Sequence, residues 1–275
     1  ARRLHHTSEG ADIRAYVQQL AGEVTGHPKI RVLTGARVTA FEGFKGNFLT
    51  TVAVGGAGGP EKIEHGAIIV ATGASEYRPS EYLYGQDPRV MTQVEFGDLL
   101  EAPGAADLQS VVMIQCVGSR NEQNENCSRI CCQSAVKNAL HLKRRNPEAQ
   151  VYVLYRDMRT YGLLEDYYTE ARKQGVIFIR FDPQSAPQVS ADGEGIAVRV
   201  KDHVLQRDIE IQADRLVLSA GVAAADTAEV SGIMKLNRNP EGFFIEKGRL
   251  AAAGSELREL GPGKNHTQRN EVKVI

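Results

Sequence analysis

Outside one window of 17 residues, this 275-residue sequence has no cysteine at all. A disulfide framework spread through the chain is thereby excluded, and the length is enough to bury a substantial core without such staples. An excess of either charge is also missing. Thirty-three Lys and Arg stand against 34 Asp and Glu, a formal net charge of −1, so no general electrostatic attraction to nucleic acid or an anionic membrane follows and no nucleic-acid partner is expected. No apolar run approaches the roughly 20 residues that span a bilayer. The opening Ala1-Arg2-Arg3-Leu4-His5-His6 is basic but lacks the hydrophobic core of a signal peptide. Solenoid repeats and low-complexity tracts are absent too. With 27 glycines and 10 prolines, the sequence describes a turn-rich globular protein, expected to be cytoplasmic and without a direct membrane span.

The apolar pattern changes period along the chain. Ser8 is a candidate N-cap for a first helix, in which Ile13, Tyr16, Val17, Leu20 and Val24 recur at helical spacing, and Gly26-His27-Pro28 ends it. Short strands are expected at 30–33, 37–41, 48–54 and 61–65, separated by glycine turns at 43–46 and 55–59, as in an antiparallel meander. Residues 66–74 then read as a buried strand running into a tight glycine turn. A loop at 79–89 and a helix at 93–100 lead to the best linker candidate, 102–105. Strand and helix alternate beyond it: strands at 111–116, 151–155 and 176–181, helices at 134–145 and 165–173. This order predicts a parallel, Rossmann-like sheet. A hairpin is expected from 196–200 and 204–211. Arg215-Leu216-Val217-Leu218-Ser219-Ala220-Gly221 repeats the strand-then-glycine pattern. From Leu250 onward the polar, aperiodic sequence is expected to be poorly ordered.

All four cysteines, Cys116, Cys127, Cys131 and Cys132, fall in the one window, spaced C-x10-C-x3-C-C. Four thiolates are what a [4Fe–4S] cube requires, one for each iron. A helical turn would set Cys127 and Cys131 on one face, and the polar residues 121–126 suit a flexible loop folding Cys116 over such a group. Three rivals compete. Buried structural cysteines are common, but four so close together are hard to ascribe to chance. Zinc also accepts four thiolates, yet the vicinal pair is awkward for a knuckle built on C-x2-C. No C-x-x-C redox pair occurs, and a disulfide between adjacent cysteines is strained.

Nucleotide signals are partial. After the strand at 111–116 stands only Val117-Gly118-Ser119-Arg120, not the G-x-G-x-x-G that lets pyrophosphate approach backbone. Gly55-Gly56-Ala57-Gly58-Gly59 joins two strands and reads as a hairpin turn. Asp157, flanked by Arg156 and Arg159, stands where a ribose-binding acid would, or is a solvated strand end. Ala71-Thr72-Gly73-Ala74 matches the A-T-G strand end that packs against FAD in two-dinucleotide flavoproteins, where glycine admits close backbone approach.

Together these features resemble the A-type subunit of heterodisulfide reductase, an FAD and iron–sulfur protein on a thioredoxin-reductase-like scaffold, as well as the related flavoprotein subunits of quinone-interacting complexes. The residues that carry the resemblance run from Gln115-Cys116-Val117-Gly118-Ser119-Arg120 through Asn126-Cys127-Ser128-Arg129-Ile130-Cys131-Cys132 to Ala135-Val136-Lys137. Tyr155-Arg156-Asp157-Met158-Arg159, Gly175-Val176-Ile177-Phe178-Ile179-Arg180, Gly26-His27-Pro28, Gly43-Phe44-Lys45-Gly46-Asn47-Phe48 and Ile69-Val70-Ala71-Thr72-Gly73 extend it over roughly residues 1–248. The resemblance implies an α/β fold: a Rossmann-like parallel-sheet domain plus part of a FAD-binding domain with an antiparallel β-meander. It divides the chain into a partial FAD-binding domain at 1–104, a Rossmann-like domain carrying the four-cysteine insertion at 105–228, and a return segment with a tail at 229–275. It implies that Cys116, Cys127, Cys131 and Cys132 ligate one [4Fe–4S] cluster, that Ala71, Thr72, Gly73 and Lys137 lie near FAD, and that Lys137 tunes the flavin through its charge.

The activity implied is electron transfer between FAD and the cluster to other redox subunits of a heterodisulfide-reductase-like or quinone-interacting complex. Such thiolate clusters are oxygen-sensitive, which points to an anaerobe. Complete members of the family begin with a strand, a G-x-G-x-x-G turn and a helix that hold the FAD pyrophosphate, and this sequence is expected to be a piece that starts after them. The competing expectations are an NAD(P)H-dependent flavin disulfide reductase relative without a cluster, and a zinc-stabilised interaction module.

Overall fold

The computed structural model describes residues 4–55, 59–191, 193 and 195–245, together with the backbone of 273–274. The sequence from 250 onward, expected to be poorly ordered, otherwise lies outside the described residues. The chain forms two compact units: Ala1–Glu23 with Glu76–Val222, and Val24–Ser75 with Ala223–Ile275.

In chain order, α1 (Ile13–Gly26) comes first. Its first turn is capped by Asp12 rather than Ser8, because the Asp12 carboxylate accepts from the Arg14 and Ala15 amides at 2.8 and 3.0 Å. No residue of α1 is buried, so its apolar stripe lies open. Residues 30–33 are not a strand: Ile30 and Val32 are exposed and unpaired in any sheet. The meander follows as β1 (Ala36–Phe44), β2 (Asn47–Val54) and β3 (Glu61–His65), paired antiparallel in that order. At its first turn a Cβ on Gly43, whose φ is +95°, would overlap the Asn47 carbonyl, so only glycine fits. Phe48 and Val52 are its buried apolar positions.

The expected buried strand at 66–74 shrinks to β4 (Ile69–Val70), with Ile69 exposed, and Ala71–Ser75 are exposed as well. An apolar run makes a buried strand only when neighbours cover both faces, and Ile69 stays 65% exposed. Next come β5 (Ala74–Glu76), β6 (Val90–Thr92) and α2 (Gln93–Leu100). Helix α2 begins on a capping box in which the Thr92 hydroxyl accepts from the Glu95 amide and the Glu95 carboxylate accepts from the Thr92 amide. The expected linker at 102–105 is instead a 3₁₀ turn, Pro103–Asp107, with Ala105 fully buried.

Strand and helix then alternate as expected: β7 (Ser110–Val117), α3 (Cys131–Arg145), β8 (Gln150–Tyr155), α4 (Leu164–Lys173) and β9 (Ile177–Arg180). Three antiparallel strands follow, β10 (Gln188–Ala191), β11 (Ile196–Asp202) and β12 (Arg207–Ala213), of which β11 and β12 form the expected hairpin. The chain then runs through β13 (Arg215–Ala220), β14 (Val222–Ala224) and α5 (Ala228–Met234), while β15 (Lys273–Val274) pairs parallel with β4.

The parallel sheet has the order β6-β13-β7-β8-β9. Its strands are apolar at successive positions because both faces are covered. Val111, Met113, Val151, Val153 and Val217 point to one side, where Phe96 and Leu100 of α2, Ala135, Val136, Ala139 and Leu142 of α3 and Ala171 of α4 cover them. Val112, Ile114, Leu154, Leu216 and Leu218 point to the other, against Ile196, Val198, Val200, Ile211 and Ala213 of the antiparallel layer. Each such side chain contributes about 1.5–3 kcal/mol on burial. Because β6 pairs with β13 and α2 packs on this core, residues from Glu76 onward belong with the parallel sheet, and the two units do not divide at 104/105.

Candidate metal centre

The chain leaves β7 and continues through β8 and β9 on one side of the sheet, then returns as β13 on the other. The carboxyl ends of β7 and β13 therefore flank the point where strand order reverses, the usual place for a ligand crevice in such sheets. The cysteines gather there. Cys116 lies in the last turn of β7 with φ +64°, opposite a register slip between Leu218 and Ala220 of β13. Gly118, at φ +66°, packs under the Tyr77 ring so closely that a Cβ would overlap it. Arg120 and Arg129 also take left-handed φ values of 57° and 64°. Three non-glycine residues in that region, at roughly 1–2 kcal/mol each, are strain concentrated on one loop.

That loop is not the flexible span expected at 121–126. The Asn121 side chain accepts from the Gln123 and Asn124 amides, and the Asn124 side chain donates to the Gly118 carbonyl at 3.1 Å. Asparagine closes turns on its own backbone in this way. Ser128 Oγ accepts from the Val222 amide at 2.8 Å, fastening the loop beside the end of β13. The helical turn expected across Cys127 and Cys131 is also absent, because α3 begins only at Cys131. Cys127 stands in the loop, and Cys131 and Cys132 form the first turn of α3, which starts three residues earlier than its apolar periodicity suggested.

All four cysteines are free, three partly and one fully buried. The vicinal pair straddles β7. The Cys131 thiol donates to the Ala220 carbonyl at 3.4 Å, and the Cys132 thiol to the Asp157 carbonyl at 3.8 Å. Burial pushes the Cys131 thiol up to about 12, and the nearby charges of Cys132, Cys116 and Cys127 add to the rise. Burial likewise raises Cys116 and Cys132, each also sensing other cysteines of the group. Donors face the sulfurs. Arg120 Nη1 lies 3.9 Å from Cys116 Sγ, and the Arg129 amide donates to Cys127 Sγ at 3.4 Å. The positive end of α3 faces Cys131 and Cys132.

This donor set fits an iron–sulfur cluster: four neighbouring thiols, three partly buried and one buried, with a cation, an amide and a helix terminus to offset thiolate charge. It fits a single zinc ion less well. Tetrahedral zinc with bonds of about 2.3 Å sets its sulfurs roughly 3.8 Å apart. No three of the cysteines have ligand atoms within 4.8 Å of one another; among the described residues only His6, Glu101 and His141 meet that condition.

Lys137 lies on α3, half buried. Burial lowers its pKa, and the Glu101 carboxylate opposes the shift. Ala71, Thr72 and Gly73 belong to the other compact unit, in an exposed turn where Gly73 has φ +72° and a Cβ would meet nothing within 4 Å. The structure does not gather these three with the cysteines in one compact unit. Asp157 is an ion-pair partner: Arg120 donates to it at 2.6 Å, and that bond is the main cause of its lowered pKa. Two features had escaped sequence reasoning. Arg120 touches both a cysteine sulfur and Asp157; its place four residues after Cys116 was the available signal. Gln93, Gln115, Asn138 and Ser219 form a buried polar chain behind the site, with Ser219 Oγ accepting from Gln115 at 2.7 Å and Gln93 at 3.1 Å, and Asn138 donating to Gln93 at 2.7 Å.

No family model matches the sequence. Among individual proteins, it is 38% identical over 203 residues to the A-type subunit of the H(2)/formate:CoB-CoM heterodisulfide,ferredoxin reductase of Methanococcus maripaludis, covering 67% of this chain and 31% of that protein. It is 36% identical over 212 residues to an iron-sulfur A-type subunit of the CoB--CoM heterodisulfide reductase of Methanopyrus kandleri, covering 68% and 32%. The chain thus spans about a third of the length of the curated relatives it matches. Among solved structures, the fold is similar to a copper(II) complex of the HOCl-induced flavoprotein disulfide reductase RclA of Escherichia coli, with TM-score 0.54, 14% identity, and coverage of 96% of this chain and 49% of that one. The thioredoxin reductase of T. acidophilum follows, with TM-score 0.50, 16% identity, and coverage of 87% and 68%. These structures show the fold alone: α/β, with a parallel five-stranded sheet and separate antiparallel sheets. With the cysteine spacing and the sheet-edge geometry beside them, the sequence matches establish that this chain belongs to the family of heterodisulfide reductase A-type subunits.

Proposed function

We propose that the chain is part of an electron-transferring oxidoreductase and holds one [4Fe–4S] cluster on Cys116, Cys127, Cys131 and Cys132. One observation carries the reading: four free thiols converge at the carboxyl edge of β7 and β13, where Arg120, the Arg129 amide and the start of α3 meet them with positive charge. Bound there, a cluster would pass single electrons, and an FAD beside it would collect or release them in pairs. The chain's own part is positional. The left-handed turn at Cys116 aims the first sulfur into the crevice, the Asn121 and Asn124 turns carry Cys127 to it, and α3 presents the vicinal pair. Cys116, Cys131 and Cys132 have raised pKa values and are protonated at neutral pH when free, so loading releases protons and is favoured by alkaline conditions.

Ala71, Thr72 and Gly73 are proposed to meet FAD, and Lys137 to tune it. The unit containing the meander is proposed as part of a flavin domain, and the parallel-sheet unit as the cluster-bearing Rossmann domain. The electron partners are proposed to be other redox subunits, in keeping with the relatives' names as subunits of larger reductases. Among the described residues no helix is long and apolar enough to cross a membrane. The test is anaerobic reconstitution. About four iron and a broad absorption near ~400 nm, bleached by dithionite, are expected; stoichiometric zinc with no iron would overturn the reading.

A second reading, binding of a nicotinamide nucleotide, has one observation in its favour. Arg120, Arg156, Arg180 and His203 line a cleft at the ends of β8 and β9. Against it, Asp157 sits in the same cleft paired with Arg120, and the turn after β7 carries cysteines in place of the glycine fingerprint. Calorimetry with NADPH separates the two, no heat being expected.

A further inference from the structure

His6, Glu101 and His141 form a second group of metal-ligand side chains, apart from the cysteines but in the same compact unit. They are distant in sequence: His6 precedes α1, Glu101 is the C-cap of α2, and His141 lies on α3. Glu101 Oε1 lies 3.3 Å from His6 Nδ1 and 3.8 Å from His141 Nδ1, and the three ligand atoms are all within 4.8 Å of one another. A tetrahedral zinc with bonds of about 2.0–2.1 Å sets its ligand atoms roughly 3.3 Å apart. The two imidazole rings are 5.5 Å apart between centroids and inclined at 82°. Two imidazoles on one zinc place their centroids about 5 Å apart. The His6–Glu101 pair is already at that spacing, the His141–Glu101 pair is about 0.5 Å beyond it, and the two histidine ligand atoms, within 4.8 Å, need to close by at most about 1.5 Å.

A second observation points the same way. His6 Nδ1 is buried and has no hydrogen-bond partner, although the Glu101 oxygen is 3.3 Å away. A buried ring nitrogen without a partner is uncommon and calls for a reason. Its neighbour His5 differs, since its Nε2 meets Asp98 at 2.8 Å and Arg14 at 3.2 Å. Burial lowers the pKa of His141, with Glu101 acting against the shift, which favours the neutral imidazole a metal binds. The side chains are 34%, 35% and 23% exposed for His6, Glu101 and His141, enough for an aqueous ion to enter.

We propose that His6, Glu101 and His141 bind one divalent transition-metal ion, with water completing the shell. Two imidazoles and one carboxylate suit zinc and its neighbours in the first row and disfavour calcium and magnesium, which take oxygen ligands. Bound, the ion ties the segment ahead of α1 to α3 and adds to its existing tie to α2, where His5 meets Asp98. Binding needs no cysteine and does not depend on the iron–sulfur assignment.

The test uses anaerobically reconstituted protein titrated with cobalt(II) and, separately, with zinc(II), followed by desalting and metal analysis. One equivalent beyond the iron is expected, with cobalt d–d bands but no thiolate-to-cobalt charge-transfer band, and a zinc-dependent rise in melting temperature. His141→Asn and Glu101→Gln are each expected to weaken binding at least tenfold and abolish that rise, with iron content and circular dichroism unchanged. His6→Asn provides a third variant should either fail to fold. Retention of no ion beyond the iron, equal retention by folded variants, or a charge-transfer band placing the cobalt on thiolates would each overturn the proposal.

Discussion

Among the described residues Arg120 is the one side-chain cation that touches a cysteine sulfur, and its removal has a calculable effect on an iron–sulfur potential. Its Nη1 lies 3.9 Å from Cys116 Sγ, its Nη2 lies 2.6 Å from Asp157, and its side chain is only 16% exposed. With an effective dielectric constant near 20, a unit charge about 6 Å from an electron spread over a cluster contributes about 3 kcal/mol. The Asp157 carboxylate on the same guanidinium acts in the opposite sense but stays in place when Arg120 is replaced, so the whole of this contribution is lost. For a one-electron couple about 3 kcal/mol is about 130 mV. The sign follows from charge, because a cation favours the more negative, reduced form. Arg120→Gln is therefore expected to lower the potential by that amount, read by redox titration followed by electron paramagnetic resonance, with iron content as control. Asp157→Asn removes the compensating negative charge and is expected to move the potential upward. An unchanged or raised potential in Arg120→Gln with its iron retained would refute the reasoning.

Three further outcomes follow from the geometry. Gly118→Ala places a methyl group against the Tyr77 ring at a positive φ, so a loss of about 2–3 kcal/mol in urea unfolding is expected, with partial rescue by Tyr77→Ala. Ser219→Ala strips a fully buried acceptor from Gln93 and Gln115, and leaving two buried amide donors unpaired is expected to cost about 2–4 kcal/mol in the same assay. Asp87 is held at a pKa of about 2 by its hydrogen bonds from Arg89, below its ordinary carboxylate value. A depressed carboxylate stabilises the fold above its unfolded pKa and loses that contribution as pH falls through the folded one. Asp87→Asn should thus be about 1 kcal/mol less stable than the parent near neutrality, with the gap closing between about pH 4 and pH 2 in melting temperatures.

The parallel sheet was legible because its strands are buried on both faces. Val111 to Ile114 and Leu216 to Leu218 leave no polar position on which another assignment rests, and turn residues bound them. Helix α2 also lies where the sequence placed it, at Gln93–Leu100. The failures lie where apolar character and burial part company. Ile30, Val32 and Ile69 carry strand propensity, but they stay 45%, 45% and 65% exposed. Strand β10, with no buried residue, carried too weak an alternation to be seen. At the site, the four cysteines were visible as a spacing, whereas the start of α3 at Cys131 was not, because propensity and periodicity point to the helix body at Ser134 and beyond. Arg120 was hidden for a different reason. Its contacts with Cys116 and Asp157 depend on a left-handed backbone at Arg120 itself, which periodicity does not encode.

Whether Cys116, Cys127, Cys131 and Cys132 share one cluster is tested most directly by counting iron and acid-labile sulfide per chain, under anaerobic conditions, in the parent protein and in Cys131→Ser. About four of each are expected in the parent, with a large loss of both in the variant while circular dichroism stays unchanged. Full iron retained by a folded Cys131→Ser protein would contradict the account.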